Sequence, residues 1–96
     1  MGRRRFNIIK VFKALASEKR VKIYLFLQRY DYGLHLSFIS DKMKIPLQTL
    51  GRHILKLRNA GLVESKRHKN KMVYSVRKIR NNFDKDLLTF VKRYLS

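Results

Sequence analysis

The segment from Leu47 to Val76 decides the fold of this chain and reads LQTLGRHILKLRNAGLVESKRHKNKMVYSV. Four apolar residues in its first half recur at the 3.6-residue spacing of an amphipathic helix: Leu47, Leu50, Ile54 and Leu57. Gly61 then ends this helix as a C-terminal cap. The second half predicts a short antiparallel hairpin, with strands at Leu62-Val63 and Met72–Val76 and a turn at Lys69-Asn70.

The outer face of the predicted helix is polar and cationic. It carries Gln48, Arg52, Lys56 and Asn59, with Thr49 on the flank. The hairpin adds a basic tip made of Lys66, Arg67, His68, Lys69, Asn70 and Lys71. Amides, hydroxyls and guanidinium groups hydrogen-bond base edges, and cations contact phosphates. The pattern therefore predicts a recognition helix over about 46–60 and a basic wing over 66–71, with double-stranded DNA as the partner.

Composition supports an anionic partner. The chain has 96 residues, which is the size of one domain, and its 24 Lys and Arg against six acids give a formal net charge of +18. Such self-repulsion destabilises a compact chain unless a polyanion neutralises it, although a merely soluble basic surface is the alternative. The charge is also directional, because residues 65–80 hold seven cations and no acid.

The composition also excludes several classes of protein. The chain has no cysteine, so a disulfide framework, a thiolate metal site and a thiol redox switch are impossible. No apolar run approaches the roughly 20 residues that span a bilayer. The basic start at residues 1–5 is not followed by the continuous apolar stretch of a signal peptide. We therefore expect a cytoplasmic protein with no membrane partner.

An enzyme is the least favoured class. The six acids and three scattered histidines form no nucleophile–base spacing, no phosphate-binding loop and no metal cluster. His35 and His68 are isolated along the chain, and His53 lies at the margin of the apolar stripe, where a packing role is favoured over a ligand role. We expect no catalytic residue, no cofactor and no metal.

The segments before Leu47 predict three helices and a short edge strand. The first helix runs from about Phe6 to Leu15, and Ser17 caps a second over 18–30. Leu34–Leu36 is expected as the edge strand, and Ser37 as the cap of a helix over 38–43. A turn at Lys44-Ile45 leads to Pro46 at the first position of the next helix, completing a helix-turn-helix pattern.

After the hairpin, the sequence predicts a last helix over about 83–95. Its apolar stripe consists of Phe83, Leu87, Phe90, Val91 and Tyr94. These are many large apolar side chains for a terminal helix to leave exposed on a small monomer. Together with Phe6 and Ile9 of the first helix, they are the predicted dimer interface. The fold class expected is mainly α with a small β-hairpin, as one winged helix-turn-helix domain over residues 1–96.

Three stretches resemble ArsR-type winged-helix regulators. FKALASEKR at 12–20 is similar to the opening helices of that family, and LGRHILKLRNAGLV at 50–63 resembles its recognition-helix signature. VYSV at 73–76 resembles the end of its wing, so the resemblance extends over about two-thirds of the chain. It implies a homodimer, built from the first and last helices, that binds a near-palindromic operator and regulates transcription. Small cysteine-free winged helices of this kind also resemble those of archaea and their viruses, in which case the location is the host cytoplasm.

Two departures from the family pattern limit what the resemblance implies. Metal-sensing members place cysteines before the turn, or histidines and acids on the last helix, whereas this chain offers only Asp84 and Asp86 there. Metal sensing is therefore not expected. Gly51 stands where the family usually has serine, which removes one phosphate-binding hydroxyl from the contact face. The predicted DNA contacts are Gln48, Thr49, Gly51, Arg52, Lys56, Lys66, Arg67, Lys69, Asn70 and Lys71.

Two questions stay open on the sequence alone. Leu55 lies on the wrong face of the helix for the core, so it is either covered by a neighbouring helix or in contact with a thymine methyl group. A winged helix that binds RNA or a protein without operator specificity is the alternative function, because a fold alone does not fix function. Competition of one preferred duplex against bulk RNA and random DNA discriminates the two.

Overall fold

The computed structural model describes residues 7–77 and 82–95. In chain order its elements are α1 (Ile8–Ala14), α2 (Glu18–Leu27), β1 (Leu34–His35), α3 (Leu36–Met43), α4 (Leu47–Asn59), β2 (Val63–His68), β3 (Lys71–Val76) and α5 (Asn82–Phe90), which continues as a π-helical turn over Val91–Leu95. Phe6, predicted to begin the first helix and to join the dimer interface, lies outside the described residues. The arrangement of helices and strands is the predicted winged helix-turn-helix.

Local capping explains where the first two helices begin. The Asn7 side chain accepts hydrogen bonds from the backbone N–H groups of Ile9 and Lys10 at the start of α1. The Ser17 hydroxyl accepts from the Arg20 N–H at the start of α2, which confirms the predicted cap. The Arg20 side chain in turn donates to the Ala14 carbonyl oxygen at 2.6 Å, so it ties the end of α1 to the start of α2.

Three predicted helix boundaries are wrong. α2 ends at Leu27 rather than Tyr30. α3 begins at Leu36, directly after the β1 pairing, so Ser37 lies inside its first turn instead of capping it. Pro46 is the N-cap of α4 rather than its first residue. The turn itself is as predicted: Lys44 ends α3 in the left-handed conformation, with φ 59°.

The three strands form one antiparallel sheet in the order β1-β3-β2. In the hairpin, Val63 pairs with Val76 and His68 with Lys71, so Lys69 and Asn70 form a two-residue turn. Both turn residues have positive φ, 49° and 67°, as the hairpin turns that match strand twist require. Strand β2 starts after Leu62 and extends to His68. The first strand of the hairpin, β2, was thus predicted too short, because pairing with β3 holds its basic residues in extended form.

Gly33 occupies a position that only glycine fits. A Cβ atom added there would lie 2.6 Å from a Val73 side-chain carbon of β3, closer than real contacts allow. The absence of a side chain lets the segment before β1 approach the sheet. This approach places β1 at the edge of the hairpin, where Leu34 pairs with Tyr74.

One apolar core joins the helices to the base of the sheet. Its largest fully buried side chains are Ile23, Leu27, Ile39, Leu50, Leu57, Val11 and Val91. Val21, in the first turn of α2, is also buried. Leu47 is a correction in the other direction: it was assigned to the apolar stripe of α4 but is 50% exposed, because it is the first residue of the helix.

Candidate nucleic-acid interface

Helix α4 is fixed to the core by its inner face. Leu50, Ile54 and Leu57 are each at most 2% exposed. Its C-terminal end is closed by two backbone hydrogen bonds, from Gly61 N–H to the Arg58 carbonyl and from Leu62 N–H to that of Leu57. This is the Schellman arrangement, and it needs the positive φ of 82° that Gly61 adopts. The backbone from which the outer side chains of α4 project is therefore held at a defined position.

The outer face of α4 is open to solvent. Gln48, Arg52 and Lys56 are exposed, whereas Thr49 and Gly51 are partly buried at the margins. Within the part of the chain that the structure describes, none of these three exposed side chains hydrogen-bonds or ion-pairs with another residue. Their donors and acceptors are thus available to an external partner.

The hairpin carries the second group of predicted contact residues. The exposed side chains at its end are Lys66, Arg67, His68, Lys69, Asn70 and Lys71. Leu62 and Val63, which connect it to α4, are buried. Because only Ala60–Leu62 separates α4 from β2, the hairpin begins close to the end of α4. The structure therefore places both groups of predicted contact residues on adjoining elements.

The base of the hairpin is held by an ion pair that the sequence did not predict. The Arg77 guanidinium, just after β3, donates to the Asp84 carboxylate of α5. Both side chains are largely buried, at 16% and 8% exposed. The pair lies beside a pocket of about 260 Å³ that includes its open mouth and is also lined by Tyr24 and Leu87. Asp84 is therefore a structural residue that connects the last helix to the end of β3.

His53 is partly buried on the flank of α4. Burial lowers its pKa from the usual 6.5, and the neighbouring charges of Arg20 and Lys19 lower it further. Such surroundings favour the neutral ring, and the packing role favoured from the sequence stays a prediction. His35 lies at the sheet edge, with its Nδ1 atom 3.4 Å from the Met72 carbonyl oxygen.

Leu55 is the residue whose role the sequence left open. It is 49% exposed, so no element of the described protomer covers it. The helical positions explain this: Leu55 follows Arg52 by three residues and Gln48 by seven, which places all three on one side of α4. The outer face therefore contains an apolar side chain among its hydrogen-bonding groups.

The predicted dimer residues fall into two groups. Leu87 and Val91 are buried in the protomer's own core. This corrects their assignment, because a side chain buried within the protomer has no surface left for a partner. Phe90 and Tyr94 are exposed, with ring centroids 5.3 Å apart, and Phe83 is partly buried. On α1, Ile9 is exposed, and its place in a dimer interface stays a prediction.

Two further apolar residues of α1 are exposed that the sequence analysis did not select. Ile8 and Phe12 are 43% and 50% exposed. Phe12 lies about 100° around the helix from the buried Val11, whereas Ile8 shares the face of Val11 and is exposed as the first residue of α1.

Neither a membrane span nor a metal cluster is found among residues 7–77 and 82–95. None of the helices described there is long and apolar enough to cross a bilayer. Likewise, no three histidine or acidic side chains in these ranges are grouped so that they could hold a metal ion.

Comparison with solved structures shows which fold this is. The transcriptional regulator HlyU from Vibrio vulnificus CMCP6 superposes with a TM-score of 0.68 at 21% identity, over 88% of this chain and 83% of that one. The homodimeric winged helix-turn-helix DNA-binding domain from Mycobacterium bovis gives 0.73 at 24% identity, over 88% and 74%. An ArsR-like transcriptional regulator from Rhodococcus sp. RHA1 gives 0.66 at 24%, over 91% and 74%.

These similarities are structural. Searches with family models and among curated proteins find no match to the chain. The chain has the winged helix-turn-helix fold, shared with ArsR-like and HlyU regulators.

Proposed function

We propose that this protein is a sequence-specific double-stranded DNA-binding transcriptional regulator. The observation that carries the proposal is the juxtaposition of the open outer face of α4 with the basic hairpin on a winged-helix frame. When a helix-turn-helix protein binds DNA, its recognition helix lies in the major groove and the N-terminal residues of that helix reach base edges. Gln48, Thr49 and Arg52 have the required chemistry, and Lys56 is one turn further along.

The hairpin has a different part in the proposal. Lys66, Arg67, Lys69 and Lys71 are exposed cations at the end of a paired ribbon. They suit contact with the phosphate backbone or the minor groove, which strengthens binding without reading sequence. Asn70, at the turn, can donate to a phosphate or a sugar.

We further propose that the protein acts as a homodimer. The exposed apolar side chains of α1 and the last helix support this: Ile8, Ile9, Phe12, Phe90 and Tyr94. Two-fold symmetry would place the recognition helices about 34–36 Å apart to match one DNA turn. The protomer extents of 32 × 32 × 22 Å allow that spacing. One of the similar structures, the Mycobacterium bovis domain, is homodimeric.

The dimer is tested by sedimentation at micromolar concentration. We expect a dimer for the native chain and a monomer for the double variant Ile9→Asp, Phe90→Asp, since two buried carboxylates would oppose association. Leu47→Asp, which changes an equally exposed leucine outside this surface, is the matched control and should remain dimeric. A native chain that sediments as a stable monomer would contradict the homodimer.

The function is tested by selecting bound sequences from a random duplex pool. We expect a near-palindromic consensus, and this duplex should outcompete both random DNA and bulk RNA. A palindrome would also report the dimer, because a two-fold protein reads two equivalent half-sites. Equal competition by RNA, or the absence of any consensus, would instead favour the RNA- or protein-binding alternative.

A further inference from the structure

We propose that Leu55 and Gly51 form an apolar slot on α4 that recognises the 5-methyl group of one thymine in each half-site. This proposal rests on the DNA-binding function proposed above and adds a specificity-determining contact to it. A single exposed leucine is ordinary on a protein surface. The inference therefore depends on what lies beside Leu55.

The first observation concerns Gly51, one helical turn before Leu55. Glycine is unfavourable inside a helix relative to alanine, so its presence needs a local reason. Packing among residues 7–77 and 82–95 supplies none: there, a Cβ atom added at Gly51 would meet only a Leu36 methyl carbon, at an ordinary 3.8 Å. The missing side chain is therefore of use only to something that approaches the helix from outside.

The second observation concerns the direction of the Leu55 side chain. Side chains on a helix lean toward its N-terminus and cover the turn that precedes them. By this rule, we expect the isobutyl group of Leu55 to extend toward the backbone at Gly51. Leu47, 50% exposed, lies one turn before Gly51 on the same line. Together the three positions make an apolar strip, and we call the gap at Gly51, beside Leu55, the methyl slot.

The chemistry of the major groove then identifies the ligand. Thymine is the base that presents a methyl group there, next to its O4 acceptor, and apolar side chains recognise it by contact. Arg52 neighbours the methyl slot and can donate two hydrogen bonds to guanine O6 and N7. Leu55 and Arg52 would therefore read adjacent base pairs, and Leu55 would favour T·A over C·G.

The test replaces thymine by uracil, one position at a time, in the selected duplex. This exchange removes the methyl group and keeps every hydrogen-bonding atom. For the native protein we expect one thymine per half-site whose loss weakens binding about fourfold, the effect of one buried methyl-sized group. Replacement in both half-sites should weaken binding about fifteenfold. Leu55→Ala should bind the thymine and uracil duplexes equally.

Two further variants separate the methyl slot from general binding. Gly51→Ala should fill the slot, so that it lowers affinity for the thymine duplex more than for the uracil duplex while raising thermal stability. Lys56→Ala is the matched control: it should weaken both duplexes and keep the fourfold difference. We expect the melting temperatures of all variants to be above the native value or only slightly below it, since the altered positions are not in the core.

The outcomes distinguish this proposal from the function on which it rests. If no duplex is preferred over random DNA, the proposed function fails and the methyl slot fails with it. If a consensus exists but no thymine is sensitive to uracil, only the methyl slot is overturned. If the sensitivity persists in Leu55→Ala, another residue reads the methyl group and the assignment to Leu55 is overturned.

Discussion

Helix α4 and the β2–β3 hairpin both present cations to solvent, but they hold them in different ways. The helix is fixed by three core leucine and isoleucine side chains and a closed C-terminal end, and its outer face mixes an amide, a hydroxyl, a guanidinium group and a leucine. The hairpin end is held by backbone pairing and carries mostly cations. Discrimination between bases needs fixed positions and varied chemistry, whereas attraction to phosphates needs only charge. We therefore propose that the helix discriminates between bases and that the hairpin supplies affinity for DNA in general.

The largest expected effect tests how much of the affinity for DNA comes from the hairpin cations. If a dimer contacts roughly 6–10 phosphates, affinity should fall about 10³–10⁵-fold between 50 and 200 mM salt. The double variant Lys69→Gln, Lys71→Gln should flatten the slope of log affinity against log salt and weaken all duplexes alike, because each lost phosphate contact removes about 0.9 from the slope. Fluorescence anisotropy over a salt series measures it.

The matched control for this experiment has the same net charge as the hairpin double variant. Lys22→Gln with Lys85→Gln removes two exposed cations from α2 and α5, helices outside the proposed contact surface. We expect this control to keep nearly the native slope. Equal slopes for the hairpin variant and the native protein would mean that the hairpin points away from DNA.

The next effect concerns how the hairpin is anchored. Removing one member of a buried ion pair leaves the other charge poorly compensated and typically costs about 3–5 kcal/mol. Asp84→Ala should lower the free energy of unfolding by this amount in a denaturant titration. Asp86→Ala, on the same helix but exposed, should change it by no more than about 0.5 kcal/mol. Equal effects of the two variants would show that the Arg77–Asp84 pair does not anchor the base of the hairpin.

A smaller effect tests the helix's share. Arg52→Ala should lower the preference for the selected duplex over random DNA by about 1–3 kcal/mol, the discrimination that a two-bond contact to guanine provides. Gln48→Ala should change preference at a different base pair. Arg58→Ala is the control, since Arg58 is exposed on α4 but outside the stripe of Gln48 and Arg52. Competition binding with both duplexes gives the ratio.

The possible results of that experiment divide clearly. Equal weakening of specific and random duplexes by Arg52→Ala would reduce Arg52 to a phosphate contact. If neither duplex were affected, α4 would not lie in the groove, and the protein- or RNA-binding module would become the better interpretation. Either result would contradict the proposal that α4 discriminates between bases while the hairpin contacts phosphates.

The sequence was most informative where periodic burial and special backbone positions coincide. The existence of α4 and its termination at Gly61 followed from apolar spacing and a single glycine, and the hairpin turn from Lys69-Asn70. Boundaries set by tertiary pairing did not follow: β1 pairs with β3 from a distant part of the chain, and this pairing moves the start of α3 to Leu36. Local capping preference at Ser37 carries no information about that contact.

The predicted contact surfaces show the same limit. On α4, the periodicity correctly separated exposed Arg52 from buried Ile54, but Leu47 lies past the end of the core, and no helical pattern reveals where a core ends. On α5, one apolar stripe had to serve both the protomer core and a possible partner. Only the packing of Leu87 and Val91 inside the protomer resolves how the stripe is divided.

The smallest expected effect tests whether protonation of His53 on α4 lowers the stability of the folded protein. Burial and the charges of Arg20 and Lys19 lower the pKa of His53 below its usual 6.5. At this residue the unfolded chain then binds a proton more readily than the folded one. The contribution of His53 to the free energy of unfolding is therefore fully present above about pH 6.5 and is lost as the pH drops below it. Thermal unfolding at pH 7.5 and 5.5 should show this loss in the native protein and less of it in His53→Gln. An unaltered loss in His53→Gln would exclude His53 as its source.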